Sequence, residues 1–392
     1  MNHYSFKKKK KLTILILGSG GREYGLAKVL SADDRVNAIV VSPGNGGTQL
    51  IPNVFNKPNE EAYEKYDLVI PGSETYLHQG IADLLLARRI PCFGPMKHCA
   101  KLETSKAFAK QFMKTYHLPT ADFTIVSNRE DAIKAWKQFP VIKADGLMGG
   151  KGVFLPSTEK EAIKAIDHLL KTQSKLVMEK KCEGPEYSLL CFYDGKTLVP
   201  LPVMKDYKRL YDKDHGPNTG GMGCTGPYDI EVKCLNNLQV ALQLEFPDYI
   251  GCLYVGLMGD SILEFNTRFG DPELQSLARL LTDDFPWLDY ILGTIDKTLC
   301  DMPPLTKFVP QDTYISTVVI CHPGYPSQTN RLEAKTLYDL NGTICGIDNT
   351  GFTTGGRVCC VHETDASIEK ASQKVYKLLK DIKGFHYRKD IR

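Results

Sequence analysis

The sequence has 392 residues, enough for two to four domains, and its 42% hydrophobic and 24% charged residues are ordinary for a soluble globular protein. A formal net charge of only +3 argues against a dedicated nucleic-acid binder, and no stretch reaches the roughly 20 apolar residues that a membrane span requires. The twelve cysteines show no CxxC pair and no zinc-finger spacing, which predicts reduced, mostly buried thiols in a cytoplasmic protein.

The N-terminal part is predicted to be a doubly wound α/β domain. Residues 1–11 include five consecutive lysines and are predicted to form a disordered basic tail before a buried strand at 12–17. A glycine turn, a helix to about Leu30, strands in "NAIVVSPG" and "YDLVIPGSE", another helix and a fourth strand in "IPCFGP" follow. This alternation predicts a parallel sheet within residues 12–103.

Strands and helices continue to alternate beyond this domain. Helices are predicted at about 102–118, 129–138 and 159–171, and residues 201–227, rich in Lys, Asp, Gly and Pro, are predicted to be loop. From about 305 the chain becomes β-rich and ends in an amphipathic helix. The apolar face of that helix is predicted to comprise Ile368, Ala371, Val375, Leu378 and Ile382.

The run "KADGLMGGKG", residues 143–152, is a candidate phosphate-binding segment. It is not a P-loop, because Gly146 to Lys151 is one residue too short and Gly152 replaces the magnesium-binding Ser or Thr. Lys143 can point into a cleft from a rigid strand, and the following glycines leave backbone N–H groups free to close over phosphate oxygens. A plain flexible turn is the alternative interpretation.

The segment "LEFNTR" is a candidate metal site. Glu264, Asn266 and Arg268 are spaced two apart on a predicted strand, so they share one face. Carboxylate and amide oxygens suit Mg²⁺, and an arginine nearby can hold a phosphate or carboxylate. The alternative is an ordinary solvated strand face.

Two further glycine-rich turns are candidate ligand sites. In "GSGGRE" Glu23 occupies the third glycine position of a dinucleotide fingerprint, and the second strand ends at Ser42 without an acidic residue, so a dinucleotide site is not expected. A helix N-terminus there can still hold one phosphate group. The second turn, "DKDHGPNTGGMG", offers close backbone approach and the side chains of Asn218 and Thr219.

Together, in this order, these segments resemble the ATP-grasp superfamily, and within it the phosphoribosylamine–glycine ligase family. The resemblance runs from Leu12 to Ile391 and rests on "GSGGRE", "SPGNGGT", "LETSKAF", "VIKADGLMGGKGV", "GPNTGGMG", "LEFNTRFGDPE" and "GGRV". It implies an N-terminal substrate domain at 12–103, an ATP-grasp domain at 104–304 with a mobile lid subdomain at about 120–192, and a small β-rich C-terminal domain at 305–392.

The resemblance also implies the reaction and its residues. ATP would activate glycine as an acyl phosphate that 5-phosphoribosylamine then attacks, with Mg²⁺ or Mn²⁺ as the metal, in a monomer or dimer that binds neither nucleic acid nor membrane. The implied ATP-binding residues are Lys106, Lys143, Gly149, Gly150, Lys151, Glu179, Cys182 and Glu186, where Glu179 to Cys182 would hydrogen-bond adenine through the backbone and Glu186 would hold the ribose. The implied metal ligands are Glu264 and Asn266, the phosphoribosyl-binding residues are Gly20, Gly21, Arg22 and Asn45, and the residues around glycine and the amine are Asn218, Thr219, Gly220, Gly221, Arg268 and Asp271.

Three positions depart from the family pattern. Tyr24 replaces a usual His, and Ser73 replaces a usual Pro. Where superfamily relatives often carry another acidic metal ligand one strand earlier, "YVGLMGD" offers only Asp260, in a predicted hairpin turn. Three rival interpretations stay open: another ATP-grasp carboxylate–amine ligase or carboxylase, a dinucleotide-dependent oxidoreductase suggested only by "GSGG", and a nucleotide-binding regulator without activity.

Overall fold

The structure, a computed structural model, describes residues 11–148, 152–327, 330–340 and 342–392, and the elements and contacts below belong to these residues. Gly149, Gly150 and Lys151 of the glycine-rich loop lie outside the described residues, as does nearly all of the predicted basic tail. Within the described ranges no helix combines the length and the apolar character needed to span a bilayer.

The N-terminal part contains a parallel sheet flanked by helices. Its elements are β1 Leu12–Gly18, α1 Gly21–Ser31, β2 Val36–Pro43, β3 Val54–Asn56, β4 Leu68–Pro71, α2 Glu74–Gln79 and α3 Ile81–Ala87. The strand order is β3-β2-β1-β4 with all pairs parallel. Along β1, Ile14 and Ile16 enter one hydrophobic cluster while Leu15 and Leu17 enter another, as expected of a strand covered on both faces.

Two details of this sheet differ from the prediction. The strand predicted in "IPCFGP" is reduced to a single bridge between Val69 and Cys92, because prolines at 91 and 95 remove backbone donors on both sides. The short strand β3 was not predicted, since three residues are too few to show a periodic pattern.

A smaller antiparallel sheet follows. Its order is β5-β8-β6-β7, and two helices, capped by Asn128 and Thr158, pack their apolar side chains against its buried residues. The elements of this region are α4 Lys101–Thr104, α5 Lys106–Thr115, β5 Phe123–Val126, α6 Arg129–Trp136, β6 Val141–Ala144, β7 Val153–Phe154, α7 Glu159–Leu169 and β8 Leu176–Glu179. This small sheet ends at Glu179.

The remaining strands form a large sheet with the order β16-β15-β9-β11-β14-β17-β19-β18, in which β10 pairs with β9, and a separate ribbon of β12 and β13. Its elements up to the last helix of this region are β9 Glu186–Tyr193, β10 Leu198–Pro200, β11 Val203–Asp206, β12 Arg209–Tyr211, β13 His215–Asn218, β14 Gly223–Tyr228, α8 Leu235–Glu245, β15 Gly251–Met258, β16 Ser261–Asn266, α9 Glu273–Leu280 and α10 Trp287–Asp296. The C-terminal elements are β17 Tyr314–Cys321, β18 Thr343–Ile344, β19 Arg357–Asp365 and α11 Ile368–Leu379. The limit of about 192 expected for the lid subdomain therefore falls inside β9, a strand of the large sheet.

The prediction of loop for residues 201–227 is wrong. The segment contains four strands, and β11 and β14 lie in the middle of the large sheet. Glycines within its strands are sites of close packing: a Cβ on Gly226 would lie 2.6 Å from the sulfur of Met204. Gly220 and Gly221 lie in the connection between β13 and β14. Composition alone cannot separate these two uses of glycine.

The C-terminal part shares the large sheet with the preceding region, because β17 pairs with β14. The last helix, α11, buries Ala371 and Val375 against β17 and β19, as its apolar periodicity predicts, and it also buries Leu379, which was not predicted. Ile382 lies beyond the end of α11 and packs against the same hydrophobic cluster. Leu378 is the exception on the predicted face, since it is 41% exposed.

Candidate active site

A cavity of about 930 Å³ lies between the small sheet and the large sheet, with α1, α2 and β19 contributing to its walls. It brings together side chains from segments that are up to 335 residues apart in the sequence, from Arg22 to Arg357. The predicted site residues that line it are Arg22, Lys106, Lys143, Glu179, Cys182, Glu186, Asn218, Thr219, Gly220, Glu264, Asn266, Arg268 and Asp271.

Four predicted residues lie beside the cavity and do not line it: Gly20, Gly21, Asn45 and Gly221. A Cβ on Gly21 would lie 2.3 Å from Nε2 of Gln275, so glycine is required there for packing. The side chain of Asn45 is occupied by its own turn, because its Oδ1 accepts from the N–H groups of Gly47 and Thr48 and its Nδ2 donates to Ser19.

One wall of the cavity carries a buried row of alternating charges. The Nζ atom of Lys143, on β6, is 3.0 Å from Oε1 of Glu179 at the end of β8, and Oε2 of Glu179 is 3.0 Å from Nζ of Lys110 on α5. Lys110 also donates to the hydroxyl of Thr120 at 2.6 Å. We call Lys110, Glu179 and Lys143 the lysine–glutamate row.

The two lysines of the row respond differently to their surroundings. Burial is the main cause that lowers the pKa of Lys110 to about 8, although Glu179 acts in the opposite sense. Burial also disfavours the charge of Lys143, but Glu179 and Glu264 outweigh it and raise the pKa of Lys143 above its ordinary value. Lys143 is therefore charged at neutral pH and faces the cavity with its position fixed.

The opposite wall carries the carboxylate and amide predicted to bind a metal. Glu264 and Asn266 lie on β16, and Oε2 of Glu264 is 3.6 Å from Nζ of Lys106. Burial opposes the charge of Glu264, but Lys106, Lys208 and Lys143 prevail and lower its pKa to about 2. Asn266 donates its Nδ2 to the Phe265 carbonyl, which leaves its amide oxygen as an acceptor. An ionised carboxylate and an amide oxygen two residues apart fit a hard divalent cation.

Arg268 is held by two acidic residues that the sequence did not single out. Its Nη2 is 2.9 Å from Glu103 and its Nε is 3.3 Å from Glu74. Glu103 also accepts from the backbone N–H of Thr267 at 2.7 Å. Ser73, the departure from the family pattern beside Glu74, caps α2 by accepting from the N–H of Thr75. The serine thus supports the helix that presents Glu74.

Asp271 joins the N-terminal and C-terminal parts of the chain at the cavity. Its Oδ2 accepts from the N–H of Arg22 at 3.2 Å, at the start of α1, and its Oδ1 is 3.3 Å from Nη1 of Arg357. Arg357 also donates to the carbonyl groups of Gly220 and Asp271, at 2.8 and 2.6 Å. The segment "GGRV" is part of the family resemblance, but its arginine, Arg357, was not predicted as a site residue.

A second acidic group lies deeper in the cavity. Lys208 is 2.7 Å from Asp206 and 3.8 Å from Glu186, and Glu273 accepts from Ser188. Burial first, then Asp206 and Glu264, raise the pKa of Glu186 to about 7, although Lys208 acts in the opposite sense. Lys208 was missed because the segment around it was interpreted as loop.

Two of the positions that depart from the family pattern lie away from the cavity lining. Tyr24 packs against the hydrophobic cluster under the N-terminal sheet, where burial raises its pKa. Asp260 lies in the turn between β15 and β16, as predicted, and is 3.1 Å from the exposed Lys233. Neither of these two departures from the family pattern removes a charge from the cavity.

Two sheets facing a shared cavity, with a buried strand lysine opposite a carboxylate and amide pair, define an ATP-grasp enzyme. Family models for phosphoribosylglycinamide synthetase match three consecutive regions: the N domain at residues 12–103, the ATP-grasp (A) domain at 104–274 and the C domain at 315–392. The chain belongs to the phosphoribosylglycinamide synthetase family of ATP-grasp ligases.

Relatives and solved structures agree with this placement. A phosphoribosylamine–glycine ligase of Caldanaerobacter subterraneus is 35% identical, over 97% of this chain and 99% of the relative. The crystal structure of the phosphoribosylamine–glycine ligase of Thermotoga maritima superposes with a TM-score of 0.81 at 31% identity, covering 97% of this chain and all of that one. An N5-carboxyaminoimidazole synthase from Aspergillus clavatus, solved with ADP and an aminoimidazole ribonucleotide, shares the fold at a TM-score of 0.69 and 13% identity, over 95% of this chain and 98% of that one.

Proposed function

We propose that this protein joins glycine to 5-phosphoribosylamine at the expense of ATP, giving glycinamide ribonucleotide, ADP and phosphate in purine biosynthesis in the cytoplasm. The observation that carries the proposal is the single cavity in which Lys143, the Glu264 and Asn266 pair, Arg268 and Asp271 meet. The proposal also rests on similarity, over 97% of this chain, to proteins named phosphoribosylamine–glycine ligase.

Different residues of the cavity would bind the triphosphate, the adenine and the ribose of ATP. Lys106 and Lys143 bind the triphosphate, and the row behind Lys143 keeps that cation in place as charge develops on the transferred group. The segment Glu179 to Cys182 lies along the cavity beside them, where its backbone would bind the adenine edge, and Glu186 would accept from the ribose hydroxyls. The glycine-rich loop at 149–151, which lies outside the described residues, would act as the lid that excludes water.

Glu264 and Asn266 would hold Mg²⁺, or Mn²⁺ in its place. A divalent cation supplies neutralisation of phosphate charge when bound. The ionised state of Glu264 and the unused amide oxygen of Asn266 fit that role. No second acidic ligand comes from Asp260, which is exposed and paired with Lys233.

The chemistry has two steps. A carboxylate oxygen of glycine attacks the γ-phosphorus of ATP, the bond to the ADP oxygen breaks, and glycyl phosphate forms. The amine of phosphoribosylamine then attacks the acyl carbon, phosphate leaves with the former carboxylate oxygen, and the amine loses a proton. Arg268 would hold the glycine carboxylate. Arg22, whose Nε is 3.0 Å from Glu23, would face the phosphoribosyl group at the start of α1, with Arg357 behind Asp271.

Substrate competition tests the proposal against other ATP-grasp reactions. Purified protein with ATP and Mg²⁺ is expected to release phosphate only when glycine and phosphoribosylamine are both present. Bicarbonate with aminoimidazole ribonucleotide, or other amino acids with phosphoribosylamine, serve as controls. Turnover that requires bicarbonate, or none with any pair, contradicts the proposal, and tight NAD binding would revive the oxidoreductase interpretation.

A further inference from the structure

A cluster of metal-ligating side chains lies outside the cavity, where the segment before α4 meets the turn before β15. His98 and Cys99 come from the first segment and Asp248 from the second, 150 residues later. None of the three lines the active-site cavity. We call them the His–Cys–Asp cluster.

The ligand atoms of the cluster lie close together. Nε2 of His98 is 3.1 Å from Oδ1 of Asp248 and 3.2 Å from Sγ of Cys99, and Sγ is 3.6 Å from the same Oδ1. Zinc bonds of about 2.0 Å to nitrogen or oxygen and 2.3 Å to sulfur place tetrahedral ligand atoms about 3.3 to 3.6 Å apart. The three atoms therefore need to move by only a few tenths of an ångström to bind one ion.

The surroundings of the cluster favour an ion over a catalytic role for the thiol. Cys99 is fully buried, which excludes a bulky substrate, while the side chains of His98 and Asp248 are 47% and 44% exposed. An ion can therefore enter from solvent, and a water molecule can complete its coordination. On the protein side, Cys99 packs in the hydrophobic cluster with Phe112 and Phe246, which fixes the position of the sulfur.

We propose that His98, Cys99 and Asp248 form a binding site for Zn²⁺ or a similar borderline divalent cation. Binding releases the thiol proton to solvent, since the thiolate is the ligand. The ion would connect the segment before α4 to the large sheet. Because α4 contains Glu103, which holds Arg268, the site would stabilise one support of the active site from outside it.

Cobalt spectroscopy tests the site directly. Co²⁺ added to the full-length protein in excess Mg²⁺ is expected to give one equivalent of a thiolate-to-cobalt absorption band, because oxygen ligands such as Glu264 and Asn266 cannot produce it. The band is expected to disappear in Cys99→Ser, and to weaken at least tenfold in apparent affinity in His98→Ala and Asp248→Asn. The last two variants change half-exposed side chains, so they test the site even if Cys99→Ser fails to fold.

Two other cysteines provide matched controls. Cys182 lines the cavity and Cys300 is exposed, so Cys182→Ser and Cys300→Ser are expected to keep the band. In wild type, Zn²⁺ is also expected to raise the thermal midpoint, and Asp248→Asn is expected to lose that rise. No band in wild type, an unchanged cobalt affinity in His98→Ala, or a band lost only in Cys182→Ser would overturn the proposal.

Discussion

The two walls of the cavity hold their charges in different ways. On one wall, Lys143 and Glu179 of the small sheet and Lys110 of α5 are paired with one another and nearly excluded from solvent, with side chains 9%, 3% and 2% exposed. On the opposite wall, Glu264 on β16 and Arg268 just beyond the end of that strand are paired with residues from other elements, namely Lys106 on α5 and Glu74 and Glu103 near the ends of α2 and α4.

The difference indicates two ways to preorganise a charge. The lysine–glutamate row fixes Lys143 before any ligand arrives, because a buried ion pair with additional hydrogen bonds has few alternative arrangements. The pair between Glu264 and Lys106 is longer, at 3.6 Å, and both side chains are about one quarter exposed. Under the proposed function, Lys106 would therefore leave Glu264 for a phosphate when a divalent cation takes its place.

Replacing Glu179, the central residue of the lysine–glutamate row, is expected to have the largest effect on stability. Glu179→Gln leaves two lysines buried without a negative partner, which costs about 3–5 kcal/mol when such a pair is broken. Lys110→Met is the matched control, since Glu179 then remains paired with Lys143. Chemical denaturation measures both. Equal losses in the two variants would show that the row is not a unit.

Removing the cation that faces the cavity is expected to abolish catalysis with little unfolding. Lys143→Met leaves Glu179 paired with Lys110, while the loss of a preorganised charge typically lowers the rate 10²–10³-fold, or about 3–4 kcal/mol. Steady-state kinetics and the thermal midpoint are measured together. Near-normal turnover in this variant would contradict the role of Lys143.

Removing the charge of Glu264, on the wall opposite Lys143, is expected to raise the Mg²⁺ concentration that activity requires. Glu264→Gln keeps the size of the side chain but removes the negative charge that a divalent cation requires. We expect the Mg²⁺ concentration at half-maximal rate to rise at least tenfold, equivalent to about 1.4 kcal/mol. Asp260→Asn, on the exposed turn, is the control and is expected to change nothing. An unchanged Mg²⁺ titration in Glu264→Gln would remove Glu264 from the metal site.

The last prediction concerns the pH dependence of stability. The folded pKa of Glu186 is about 7, raised mainly by burial from an ordinary value of 4.5. The folded state therefore holds this proton while the unfolded chain has lost it, so wild type loses stability as the pH rises from about 4.5 through 7. Glu186→Gln lacks this loss, so its thermal midpoint relative to wild type is expected to rise over that range and level off above it. A constant difference between pH 4.5 and 8 would show that Glu186 has an ordinary pKa.

Sequence patterns predicted the parts of the molecule that depend on local order. The buried strand β1, much of the apolar face of α11 and the shared cavity wall of Glu264 and Asn266 follow from spacing. Arg268, predicted on the same strand as these two, lies beyond its end at Asn266. The ion-pair partners of the charged site residues could not be predicted. Glu179, Glu103 and Arg357 reach Lys143, Arg268 and Asp271 only through the tertiary fold. Glycine was ambiguous throughout: Gly226 packs inside a central strand, whereas the same composition suggested loop.

Oxygen transfer tests the central claim most directly. Glycine labelled with ¹⁸O in its carboxylate is incubated with the protein, ATP, Mg²⁺ and phosphoribosylamine, and the released phosphate is examined by mass spectrometry. If ATP activates the glycine carboxylate in this cavity, each phosphate carries one labelled oxygen. Unlabelled phosphate, released while glycinamide ribonucleotide accumulates, would contradict an acyl phosphate intermediate.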